Sequence, residues 1–155
     1  MRRSTFLLAI VLVGVILATT LGAGASGAGV QAFGSHEFNV NKDQFVAAGS
    51  FDFDPIVKSG NFIIGVMDCV AIGTNVKLVV ISKCYIVAST GQTFAANAKS
   101  SKQGVVVIAK QLLGVPAVNL TQCITTTAYF KDGTSHTLHL ASAPRGEPVL
   151  PCKLG

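Results

Sequence analysis

The longest apolar pattern of this chain runs from Phe62 to Val87, where two segments rich in Val and Ile flank the turn Gly73-Thr74-Asn75. Two such segments around a short Gly/Asn turn are typical of a β-hairpin. Both arms are too apolar for a sheet with one face in water. We therefore expect them at the centre of a sheet that is covered on at least one side.

A second hairpin is predicted from Ile124 to Phe130 and from Thr134 to Ala141. A two-residue loop would set apolar side chains beside polar ones, whereas a three-residue loop gathers most apolar residues on one face. Gly133 can adopt the left-handed conformation that this longer loop requires. The predicted loop is Lys131-Asp132-Gly133, with the cross-strand pairs Phe130–Thr134, Ala128–His136, Thr126–Leu138 and Ile124–Leu140.

Two further segments predict strands. Residues Phe45 to Phe53 alternate near their end, and Pro55 is expected to break that strand. The segment Val105 to Leu113 begins with Val and Ile, which favour a strand. Its end at Gly114 and the proline that follows are typical of a helix stop, so we expect a strand that closes with a helical turn.

The rest of the chain predicts short or irregular structure. Residues 92–98 predict a short strand, and residues 99–104 predict an exposed loop. The tail from Ser142 contains three prolines, which exclude a central strand or a helix. Together the elements predict one all-β domain over residues 38–155, an antiparallel β-sandwich of about seven strands with a Greek-key, immunoglobulin-like or transthyretin-like arrangement.

Residues 1–25 have the features of a secretory signal peptide. Two arginines precede an apolar run from Phe6 to Ala18, and Ala23-Gly24-Ala25 is a small-residue cleavage site. The run is shorter than the ~18 residues that a membrane helix needs. We expect a secreted protein with no transmembrane segment in its mature chain, beginning with a flexible leader over residues 26–37.

Charge and composition argue against a nucleic-acid-binding surface. The net charge is +5, but the lysines are scattered, aromatic residues make up 7% of the chain, and Arg145 is the one arginine beyond the predicted cleavage site. A nucleic-acid interface would need a basic patch combined with aromatic residues. The predicted partners are instead an extracellular surface, wall polysaccharide or a small apolar ligand.

The four cysteines all follow the predicted cleavage site, which predicts two disulfides. In a regular first hairpin, Cys69 would lie five residues from the partner of Cys84, or roughly 17 Å along the strand. A disulfide needs Cα atoms within about 7 Å. A Cys69–Cys84 bond is thus disfavoured, two connectivities remain, and we favour Cys69–Cys123 with Cys84–Cys152.

Few residues suggest a chemical site. Asp52 and Asp54 lie on one face of a strand and could hold a metal or act as acid and base, but no third ligand is near, so we interpret them as an exposed strand end. His136 and His139 are three residues apart on a strand and point to opposite faces. We expect His136 at the edge of the core and His139 in solvent, and we predict no catalytic, cofactor or metal site.

Asn119 begins the one N-glycosylation sequon of the chain, which predicts a surface-exposed segment.

Apolar residues make up 50% of the chain, more than one thin sandwich core obviously needs. Either a pocket between the sheets or the outer surface is then apolar, although a well-filled sandwich is the simplest interpretation. The candidate pocket lining, from the residues expected to face inward, is Ile64, Val66, Val76, Leu78, Val107 and Leu138.

The order of several motifs resembles the plant pollen-allergen and extensin-like family, especially its phylloplanin branch. The motifs are Gly65 followed by Cys69, Asn75-Val76-Lys77-Leu78, the polar run 98–104 before Val105-Val106, and the strand that begins at Cys123. The resemblance implies a secreted antiparallel sandwich without catalytic residues, acting in the cell wall or at the plant surface, in some branches against microbes. The first functional hypothesis is therefore a secreted, non-enzymatic wall or surface protein with a role in defence, and the alternative is a carrier of a small apolar ligand bound between the sheets.

Overall fold

The computed structural model describes residues 29–40, 43–59, 62–144 and 146–153. It shows two antiparallel sheets packed on each other and linked by a disulfide, so the predicted all-β antiparallel sandwich is confirmed. Sheet A has the strand order β1-β2-β3-β7, and sheet B has the order β5-β4-β8-β9, with β6 also paired to β4. The strands are β1 (Gly29–Val40), β2 (Asp43–Ser59), β3 (Phe62–Gly73), β4 (Val76–Ala88), β5 (Thr93–Ala95), β6 (Lys99–Ser101), β7 (Val105–Pro116), β8 (Leu120–Phe130) and β9 (Ser135–Ser142).

The core lies between the two sheets and is formed by alternate residues of their strands. Burial alternates along the first part of β3, where every second side chain from Ile63 to Ala71 is buried. This period of two is what a strand with one face on the core requires. Large side chains filling the interior include Phe45, Phe51, Met67, Ile81, Ile86 and Ile124.

The first predicted hairpin is wrong. Strands β3 and β4 do not pair with each other, because β3 belongs to sheet A and β4 to sheet B. At the turn, the main-chain N–H of Thr74 donates to Gln44 in sheet A at 2.9 Å, whereas the carbonyl of Asn75 accepts from Lys131 beside sheet B at 2.7 Å. The turn is therefore an arch that carries the chain from one sheet to the other.

The second predicted hairpin is confirmed, including its register. Strands β8 and β9 pair Ala128 with His136, Thr126 with Leu138 and Ile124 with Leu140. The Phe130 N–H donates to the Thr134 carbonyl at 2.8 Å, which closes a three-residue loop. Gly133 has a φ of 94°, the left-handed conformation that this loop requires.

Three local predictions need correction. Strand β7 continues to Pro116 without a helical turn, because Gly114, with a φ of 68°, lies at a bulge in the pairing with β3. Pro55 does not end β2, although the pairing of β2 with β3 becomes irregular between Asp54 and Ser59. Residues 29–37, predicted as a flexible leader, belong to β1, which pairs with β2. The predicted signal peptide lies outside the described residues.

The C-terminal tail crosses the outer face of sheet B. The Leu150 N–H donates to the Thr121 hydroxyl at 2.8 Å on β8. The carbonyl of Lys153 accepts from Lys83 at 2.9 Å and from the Tyr85 hydroxyl at 3.2 Å, both on β4. The tail explains why the first seven residues of β8 are buried on both of its faces.

Within the part of the chain that the structure describes, no helical segment has the length and apolar character of a membrane span.

Candidate functional site

The disulfides join Cys69 to Cys84 and Cys123 to Cys152, so the connectivity favoured from sequence is wrong. The arch places β3 and β4 face to face in opposite sheets, which brings the Cα atoms of Cys69 and Cys84 to 6.2 Å. The two cysteines would be too far apart only if β3 and β4 paired side by side in one sheet, and they do not. Cys69–Cys84 therefore crosses the core between the sheets, while Cys123–Cys152 fastens the tail to β8.

The six residues predicted to line an apolar pocket do not come together. Val76 and Leu138 are buried in the core, but Val66 and Val107 are 38% and 45% exposed on the outside of sheet A. Ile64 lies on the same outer face of β3 as Val66, since its two neighbours are the buried residues. Leu78 is half-buried on β4. The predicted inward orientation is thus wrong for the three members on β3 and β7.

Where a carrier would need a cavity, side chains fill the space between the sheets. The most unusual of them is Gln122, a polar residue with no exposed surface. Its amide nitrogen donates to the Asp68 carbonyl at 2.7 Å and lies 3.4 Å from the Cys69 sulfur. The amide packs over Gly49, where a side chain would overlap it. Nothing in the sequence singled out this contact, because Gln122 stands among the polar residues Thr121 and Thr125 to Thr127 of the same strand.

A groove of about 310 Å³ lies at the side of the sandwich, between residues 96–99 and residues 107–110 of β7. The Lys99 ammonium donates to the Val107 carbonyl at 2.9 Å, and the Lys110 ammonium donates to the Ala95 carbonyl. Lys110 belongs to β7, and Lys99 reaches β7 from β6. Among the described strands, β7 is at the edge of sheet A. A lysine on an edge strand protects it from pairing with other chains, so we interpret the groove beside Lys110 as part of a protected edge.

The outer surface of sheet A carries a continuous apolar patch. The register places Val46, Ile72 and Val105 in one row across three strands, and Ala48, Val70 and Val107 in the next. Val105 and Val107 are 47% and 45% exposed, and the other four residues are partly exposed. We call these six residues the outer apolar face. A contiguous apolar surface that is open to solvent is characteristic of an interaction site.

Two carboxylates lie on the same side of sheet A, next to the outer apolar face. Asp68 is opposite Ser50, and Asp52 is opposite Val66 on the neighbouring strand. Burial, followed by repulsion from Asp52, raises the pKa of Asp68 above its ordinary value. The side chain of Asp54 lies outside the described residues, and the described part of the chain contains no group of three metal-binding side chains.

The raised pKa predicts that Asp68→Asn stabilises the protein at neutral pH. A carboxyl group with a raised pKa favours folding below its unfolded pKa of about 4, and this contribution is lost as the pH rises through the higher folded value. We expect the free energy of unfolding at pH 7 to rise by less than about 1 kcal/mol, because the side chain is only half-buried. Urea denaturation at pH 4 and pH 7 would measure the effect. Asp52→Asn removes only the smaller cause and should stabilise less, whereas an Asp68→Asn variant no more stable than the wild type at pH 7 would contradict this.

The remaining candidate residues are dispersed. His139 is exposed and its ring nitrogen lies 3.3 Å from the Thr125 hydroxyl, while His136 is half-buried, as predicted for each. Asn119 is half-buried between β7 and β8, and its carbonyl accepts from the Ser89 N–H at 2.9 Å. The structure does not bring these residues together with the acidic pair.

No protein-family model matches this chain, and no curated protein is significantly similar to it. The resemblance to the pollen-allergen and extensin-like family therefore stays a prediction. What the chain itself establishes is an all-β sandwich of two antiparallel sheets with two disulfides.

Proposed function

We propose that the protein is a secreted, non-enzymatic domain that adheres to an extracellular surface, the plant cell wall being the one that its motif resemblance implies. The outer apolar face of sheet A carries this proposal. Two disulfides and a signal-like N-terminus support secretion, since disulfides persist in oxidising compartments. A role in defence would follow from adhesion at the plant surface and rests on the same resemblance.

The chemistry of the outer apolar face favours an apolar component of such a surface as its partner. The face consists of Val, Ile and Ala side chains on three adjacent strands. None of its six side chains can form a hydrogen bond to a sugar, whereas the transfer of aliphatic side chains from water to any apolar material is favourable. We therefore propose adsorption to the lipid-rich part of a wall or cuticle rather than to its polysaccharide.

The experiment is a sedimentation assay with insoluble plant cell-wall material, before and after its lipids are extracted. The variant Val105→Thr/Val107→Thr keeps the side-chain shape and the strand preference but adds two hydroxyls. We expect it to bind about 3- to 10-fold more weakly than the wild type, because two half-exposed side chains lose part of their transfer free energy. The matched control is Val118→Thr/Val149→Thr, which changes two exposed valines that do not belong to the outer apolar face.

Three results would contradict the proposal. The wild type could fail to sediment with the wall material, its binding could survive lipid extraction unchanged, or the control variant could lose as much binding as the Val105→Thr/Val107→Thr variant. Native mass spectrometry of the secreted protein tests the carrier alternative. We expect no stoichiometric apolar adduct, because side chains such as Ile81 and Ile124 fill the interior.

A further inference from the structure

The N-glycosylation sequon Asn119-Leu120-Thr121 lies at the start of β8, and its threonine is in contact with the C-terminal tail. Leu120 is 3% exposed and Thr121 has no exposed surface, although Asn119 itself is only half-buried. The hydroxyl of Thr121 accepts a hydrogen bond from the Leu150 N–H at 2.8 Å. The folded protein therefore presents the asparagine but not the threonine of its sequon.

The threonine matters because a sequon without a hydroxyl at its third position is not an acceptor. The transferase must consequently contact the Thr121 hydroxyl during the reaction. In the folded protein that hydroxyl is bonded to Leu150 of the tail. The tail is held there by a covalent bond, since Cys152 is joined to Cys123, two residues beyond Thr121. Contacts of the Lys153 carbonyl with Lys83 and Tyr85 hold the end of the tail in place.

We propose that Asn119 is an N-glycosylation site that accepts its glycan only while the C-terminal tail is undocked, so that closure of Cys123–Cys152 ends its modification. In the reaction, the Asn119 amide nitrogen forms a bond to the anomeric carbon of a lipid-diphosphate-linked oligosaccharide. The carbon–oxygen bond to the diphosphate breaks, the lipid diphosphate leaves with the electron pair, and the amide nitrogen loses one proton. The glycan and the disulfide are thus added in a fixed order.

The docked tail is the barrier to glycosylation in this proposal. Strand pairing in sheet B is the alternative barrier, since Thr121 also pairs with Val87 of β4. The two barriers are separable. Cys123→Ser/Cys152→Ser releases the tail while leaving the Cys69–Cys84 bond between the sheets. If the tail is the barrier, this variant is modified while folded. If the sheet is the barrier, modification requires unfolding.

The test uses unglycosylated full-length protein, a purified oligosaccharyltransferase and its lipid-linked oligosaccharide donor, with the product measured by intact mass. We expect the folded Cys123→Ser/Cys152→Ser variant to be modified at least about tenfold faster than the folded wild type, because the wild type would react only in the small fraction of molecules whose tail is undocked. The variant's fold is verified by circular dichroism and by an intact Cys69–Cys84 bond. Lys83→Ala, which removes one tail contact but keeps the disulfide, should react like the wild type.

Two outcomes overturn the proposal. Equal modification of folded wild type and tail-released variant would show that the docked tail does not block the enzyme. Modification of both proteins only after reduction and denaturation would assign the barrier to the sheet. Asn119→Gln in the tail-released background must remain unmodified, which shows that any mass gain is at this asparagine.

Discussion

Replacement of both Cys69 and Cys84 by alanine is expected to lower the free energy of unfolding by about 3–5 kcal/mol. The lower value is the free energy that corresponds to the entropy lost by the unfolded chain when a disulfide closes a loop of about 15 residues. The upper value adds packing, because both sulfurs are buried between the sheets and alanine leaves a void there. This bond also joins the two sheets directly across the core, which the tail disulfide does not do.

Urea denaturation of the double variant beside the wild type would measure this loss. Peptide mapping without reduction should first recover Cys69 linked to Cys84, and Cys123 linked to Cys152. The matched control is Cys123→Ala/Cys152→Ala, which should free the tail while the two-sheet core still unfolds in one cooperative transition. A cost below about 1 kcal/mol for the first variant would mean that the interior does not depend on the bond between the sheets.

Gly65→Ala is expected to cost more than about 3 kcal/mol and to reduce the yield of folded protein. Gly65 is a buried position on β3, where an added methyl group would overlap the main-chain oxygen of Asp52 and lie 2.7 Å from the Phe51 ring. The Asp52 oxygen belongs to the backbone of β2, which pairs with β3, so it cannot rotate away. The overlap could be removed only if β2 and β3 separated locally.

The matched control for this prediction is Gly91→Ala. Gly91 has a φ of 87° and no atom within 4 Å of an added methyl group. Its replacement should therefore cost only the penalty of a left-handed backbone, about 1–2 kcal/mol. Thermal and urea unfolding of both variants would measure the difference, and equal losses would show that the space at Gly65 is not limiting.

Local patterns were sufficient for the hairpin of β8 and β9. Its two strands are adjacent in the chain, and the alternation of apolar residues permits one register that puts Ile124, Thr126 and Ala128 on the inner face. A shift by one residue would expose that whole set. The outer apolar face could not be predicted in this way, because β3 and β7 are apolar at consecutive positions, such as Ile63-Ile64 and Val105–Ile108. When the residues on both faces of a strand are apolar, the sequence does not indicate which face packs on the core.

The sequence by itself determined the class of this protein: an all-β domain with paired cysteines, a defined second hairpin and an extended proline-rich tail. Only the tertiary structure decided the course of the chain at residues 73–75, because an arch between sheets and a hairpin within one sheet use the same turn residues and the same apolar arms. The difference depends on which strands fill the places beside β3, and those are β2 and the distant β7. Once β3 and β4 face each other across the core, Cys69 reaches Cys84, and Cys123 is left for Cys152. The docking of the tail over Thr121 follows from that long-range bond, which no spacing of residues along the chain determines.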